Sequence, residues 1–134
     1  MKSSRVPVSV ACVLAVLAAC ALLVPQESRY LRGAKDHATQ SEVKQQLGEP
    51  QMVASTLGGD PQWVYQYREE DPGSRWTSVG MRCDEYVLTF DKAAILRDWT
   101  YRTHVHGGEL MPTYCVPGGM DDPRAGRTAP AARN

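Results

Sequence analysis

Residues 37–50 read HATQSEVKQQLGEP, and this stretch decides the fold. Thr39 followed three residues later by Glu42 is a capping box. The threonine hydroxyl can accept from the Glu42 amide while the carboxylate reaches back to the Thr39 amide. Val43 and Leu47 then share a helix face at i, i+4. Gly48 can take the positive φ that ends a helix, and Pro50 prevents it resuming. The spacing predicts one short helix with both ends specified. Before it, QESRYLRGAKD (26–36) sets Tyr30, Leu31 and Ala34 at helical spacing, with Gly33 weakening the pattern.

Downstream the period changes from helical to alternating. QWVYQY (62–67) places Trp63, Tyr65 and Tyr67 on one face, with Val64 and Gln66 on the other. DEYVLTFD (84–91) sets Tyr86, Leu88 and Phe90 against Glu85, Val87 and Thr89. ILRDWTYRT (95–103) puts Ile95, Trp99 and Tyr101 together, interrupted by Arg97, and QMVAST (51–56) is a weaker strand. LGGDP (57–61) and DKAA (91–94) are turns, and EEDPGSRWTSVGMRC (69–83) reads as a polar loop. Short N-terminal helices packed on an antiparallel three- to four-stranded sheet make an α+β two-layer domain. Its expected limits are residues 30–106. From Gly107 to Asn134, Gly, Pro, Arg and Ala predominate, which predicts a mostly disordered tail.

The N-terminus settles the compartment. MKSSR carries Lys2 and Arg5 and no acid, and Val6 to Val24 carries no charge at all. That is the pattern of an export signal over residues 1–20, followed by a linker at 21–29. LAAC, ending at Cys20, is similar to a lipobox, which makes Cys20 the acylation candidate. Cleavage after Ala21 and an uncleaved anchor of near-spanning length are the alternatives. By all three routes the basic end stays inside and the rest crosses. Once the leader is set aside, Cys83 and Cys115 remain, an even count in an oxidising compartment and therefore one expected disulfide. Fifteen Lys+Arg balance fifteen Asp+Glu, which leaves no electrostatic footprint for nucleic acid and no polybasic patch for lipid.

TQSEVKQQLGEP, DPQWVYQY, YVLTFD and ILRDW together resemble the SmpA/OmlA family of small envelope lipoproteins of Gram-negative bacteria. The matching positions are Thr39, Glu42, Val43, Leu47, Gly48, Pro50, Trp63, Tyr65, Phe90 and Asp91. Departures are His37-Ala38 where the family has Gly-x before the threonine, and Ala94 where a glycine is common. Alanine resists positive φ, so a different turn is expected at Ala94. The resemblance implies structural roles for these residues and a periplasm-facing, outer-membrane lipoprotein without a cofactor. It further implies an envelope protein as partner, from the outer-membrane assembly machinery or in envelope integrity.

The chemistry outside the motif is sparse. His104 and His106 would point to one side of a strand ~7 Å apart, a reachable pair for one metal with no anchored third ligand. Glu69-Glu70-Asp71 and Asp121-Asp122 lie beside prolines in solvated contexts rather than in a dry cleft. No nucleophile has a base placed for it, so an enzyme is not expected. Trp76, in the polar loop, is the partner-binding candidate, because tryptophans anchor interfaces. A metal- or small-ligand-binding periplasmic protein and an anchored protein inhibitor using Trp76 are the rival readings.

Overall fold

The computed structural model describes residues 24–125. The leader, the lipidation candidate Cys20 and residues 126–134 of the expected tail lie outside the described residues. No helix among the described residues is long and apolar enough to cross a membrane. The elements are helices α1 (Gln26–Ala34) and α2 (Gln40–Leu47), then strands β1 (Met52–Ser55), β2 (Pro61–Asp71), β3 (Gly80–Phe90) and β4 (Leu96–Gly107). The chain divides after Gly33 into two compact units.

In α1 the Arg29 amide donates to the Pro25 carbonyl at 3.2 Å. Glu27 stands in its first turn and Arg32 in its last, each matched to the helix dipole. Gly33 falls in the final turn, where its cost to helix formation is small.

The box of α2 closes as its spacing predicts. The Glu42 amide donates to Thr39 Oγ1 at 3.3 Å, and the Glu42 carboxylate accepts from the Thr39 amide at 2.7 Å. These bonds, backbone first, lower the Glu42 pKa. Gly48 has φ 82° and donates its amide to the Lys44 carbonyl, ending the helix. The Gly48 carbonyl accepts from the Tyr65 hydroxyl at 3.0 Å, and Lys44 Nζ stands 5.9 Å from the Trp63 ring centre. Val43 is fully buried, Leu47 half-buried. The helix therefore lies over the aromatic face of β2.

The sheet is antiparallel throughout, in the order β1-β2-β3-β4. Register sets Trp63 beside Leu88, and Tyr86 between Tyr65 and Tyr101. Ring centres are 4.8 Å apart for Trp63–Phe90 and for Tyr86–Tyr101. Burying each of Leu88, Phe90 and Leu96 stabilises by roughly 1.5–3 kcal/mol. Trp63, Tyr65, Tyr86, Leu88 and Phe90 are buried, whereas Trp99 is half-buried and Tyr101 exposed. Trp99 and Tyr101 thus line the margin of the core instead of filling it.

Three local expectations are corrected. Residues 69–71 and 80–83 belong to β2 and β3, so the loop shrinks to 72–79. Arg82 pairs across the strands with Glu69, a polar ladder without apolar alternation. Second, Ala94 does take a positive φ, 61°. The Asp91 carboxylate accepts from the Ala93 and Ile95 amides, both at 2.9 Å, and over-determines the turn despite the missing glycine. Arg97 is the extra residue of a bulge: Phe90 pairs with Leu96 but Thr89 with Asp98.

Third, residues 108–125 are not a loose tail but a cover on the second face of the sheet. Cys115 is bonded to Cys83 of β3, with Cα atoms 5.3 Å apart. Cys83, Cys115 and Val116 form a small buried cluster. Arg68 donates to the Pro112 carbonyl at 3.0 Å, and Arg102 to that of Gly118 at 3.1 Å. Beneath the cover the buried Glu85 carboxylate accepts from Arg102 at 2.7 Å and from Gln66 at 3.1 Å. The segment's Gly and Pro hold turns that Asp121 and Asp122 brace, accepting from the Cys115 amide at 2.9 Å and the Gly118 amide at 2.7 Å.

Candidate partner-binding site

Antiparallel register brings the end of β2, the start of β3 and the end of β4 to one end of the sheet, where Asp71 pairs with Gly80 and Gly80 with Gly107. Gly80 is obligatory there, because a Cβ would run into the carbonyl of His106. Residues 72–79 project from this end as a loop held by its own polar groups. Asp71 Oδ1 accepts from the Gly73 amide at 2.8 Å, and Gly73 has φ 71°. The Ser74 amide donates to the Thr77 carbonyl at 3.0 Å, and the two hydroxyls are 2.9 Å apart. The Trp76 amide donates to Ser74 Oγ at 3.2 Å.

Such a loop presents Trp76 rather than burying it: the side chain is 87% exposed. The Arg75 guanidinium lies 5.7 Å from its ring centre, within cation–π reach. At the same end Val79, Val105, Leu110 and Met111 are also exposed. Trp76 was legible as an unexplained aromatic in a polar loop. Val79 is its neighbour in the loop, but Val105, Leu110 and Met111 were not legible, since they are distant in sequence and come to this end only through the pairing of β4 with β3. Leu57 is exposed too, but in the β1–β2 turn at the other end.

The remaining candidates fall elsewhere. Glu69, Glu70 and Asp71 line, with Pro72 and Arg82, a shallow cleft of about 150 Å³. They end a strand instead of forming a turn, and Arg82 neutralises part of their charge. Asp122 has its pKa lowered by the Gly118 and then the Arg124 amide. His104 and His106 share a face as expected, ring centres 4.5 Å apart. His106 Nε2, however, is 2.7 Å from the Cys115 carbonyl, an acceptor only, so this nitrogen carries the proton and is closed to a metal. Cys115 is held in the disulfide. No cluster of three His, Cys, Asp or Glu suited to a metal ion occurs among the described residues.

The residues that carry the resemblance divide as a scaffold. Thr39, Glu42, Gly48 and Pro50 shape the ends of α2, while Val43, Trp63, Tyr65 and Phe90 fill the layer beneath it. None reaches the exposed end of the sheet. Compared with family models, with curated proteins and with solved structures, the chain finds no match.

Proposed function

We propose that this chain is a non-enzymatic, exported envelope lipoprotein that binds another protein through the Trp76 end of its sheet. It serves as an accessory module in outer-membrane protein assembly or envelope integrity. The observation that carries the reading is Trp76 itself, 87% exposed on a loop that internal hydrogen bonds hold in shape, with Val79, Val105, Leu110 and Met111 at the same end. A pre-ordered tryptophan loses little entropy on docking and buries a large apolar surface. The buried disulfide suits an oxidising compartment, and the SmpA/OmlA resemblance supplies the partner class.

The test is capture from detergent-solubilised envelopes by the full chain and by Trp76→Ala. Assembly-complex subunits are expected with the natural chain, and roughly thirtyfold weaker binding with the variant, since a hot-spot tryptophan carries about 2 kcal/mol. Folding stability should shift by no more than about 0.5 kcal/mol, as for other surface substitutions. Equal recovery by both chains removes Trp76 from the site. Failure of the natural chain to recover any assembly subunit removes the assembly role.

A further inference from the structure

We propose that two copies of this chain pair through β4, antiparallel about a two-fold axis at Thr103, and join their sheets into one continuous sheet. β4 is the last strand in the order and has β3 on one side only. The Gly108 amide donates to the Val79 carbonyl, so even-numbered residues turn their backbone toward β3. Trp99, Tyr101, Thr103, Val105 and Gly107 therefore turn theirs outward. Near the strand's start this edge is taken: Leu96 accepts from the Asp36 amide at 2.8 Å and donates to the Ala38 carbonyl at 2.9 Å. Beyond the bulge no other segment among the described residues pairs with it, and residues 100–103 and 105 are all exposed. An unpaired edge of this length is a template for another strand.

A second copy is the occupant because the strand is complementary to itself in one register. The open stretch, residues 99–107, has Thr103 at its centre. Pairing about that residue places Thr103 beside Thr103, Tyr101 beside Val105, and Trp99 over Gly107 of the second copy. These are threonine–threonine, aromatic–β-branched and aromatic–glycine pairs, all of which strands favour. Arg97, paired within its own chain with Asp36 and Asp91, and the nearby Lys35, paired with Asp98, then face Glu109 of the second copy, and each of the three side chains remains about half exposed. The two neighbouring registers toward the start of the strand do worse. A centre at Arg102 sets two guanidinium groups directly opposite. A centre at Tyr101 drives His106 of the second copy onto the 36–38 segment that already bonds Leu96. The formal net charge is zero for the full sequence and −2 without Lys2 and Arg5 of the leader, so overall repulsion opposes association only weakly.

The proposal is tested by sedimentation of the full chain in mild detergent, with Thr103→Pro, Thr103→Lys and Thr103→Cys beside it. The natural chain should sediment as a dimer at roughly 10–100 µM, the range of a modest edge contact. Proline removes the outward amide and is tolerated in an edge strand. The lysine variant sets like charges face to face at an exposed position, so a folding fault in one variant leaves the other to decide. Both should dissociate the dimer, with dichroism unchanged in at least one. Thr103→Cys should cross-link to itself on mild oxidation, whereas Thr100→Cys should not. A monomer throughout that concentration range, a dimer indifferent to both variants, or cross-linking at position 100 but not 103 would overturn it.

Discussion

Removing the Cys83–Cys115 bridge is the sharpest perturbation of this fold, because the bond closes a ring and pins a whole segment. The cysteines are separated by 32 positions. For a ring of that length the chain-entropy relation gives a loss of about 12 cal/mol/K, or ~3.7 kcal/mol at 25 °C, when the unfolded chain is freed. For a domain of about 100 residues, each kcal/mol lowers Tm by roughly 4–8 °C, so the combined Cys83→Ala and Cys115→Ala chain should melt about 15–30 °C lower. Far-UV dichroism on the oxidised natural chain, the reduced chain and the double variant reads this directly. The loss should be accompanied by faster amide exchange at Cys115 and Gly118, whose donors hold the cover together through Asp121 and Asp122. A loss below about 1 kcal/mol, with those amides still protected, would mean that the polar contacts alone hold the cover, and the reasoning from ring closure fails.

Ala94→Gly should stabilise the chain. An L-residue in the left-handed region costs about 1–2 kcal/mol, while glycine returns roughly 0.4–1 through the unfolded state, leaving a net gain near 0.5–1 kcal/mol in thermal melts. Gly80→Ala should do the reverse, since the new methyl meets the His106 carbonyl at the terminal pair of both ladders. A fall of about 1–3 kcal/mol in urea denaturation is expected, as for other overpacked sites. Asp91 sets an acid limit. Its carboxyl is held below its ordinary value of 3.8, first by the Ile95 amide and then by Arg97. Its folded value is the lower one, so its contribution is complete above 3.8 and is lost as pH falls through the folded value. Melts below that pH should drop less steeply for Asp91→Asn than for the natural chain, and an unchanged slope would contradict this assignment.

Much of the fold was legible in the sequence because it rests on local rules. The Thr39–Glu42 box, the Gly48 exit and the alternation through Trp63, Tyr65, Tyr86 and Leu88 each concern neighbours along the chain, and each is present. What escaped depends on distant partners. The far halves of β2 and β3 are polar, and Glu69 and Arg82 show their pairing only when the strands are side by side. The cover has the composition of a tail, and its order comes from Cys83, Arg68 and Arg102, all on other elements. At Ala94 a propensity rule was overridden by one aspartate side chain. Within the candidate site, Trp76 was conspicuous by its polar surroundings, whereas Val105 and Met111 acquire meaning only beside it.

The strands lie side by side in the order in which they are made. Each can dock as soon as it emerges, without waiting for a distant piece of chain, which favours rapid growth of the sheet from one end. The last stretch to appear is the one that seals Glu85 away from water. A nascent chain halted between Gly107 and Cys115 would have its ladders formed but one flank wet, with a lone thiol at Cys83 open to the wrong partner. Sealing of this flank is thus a chemical event, the closing of one bond, and a copy that lacks it announces itself by a reactive sulfur.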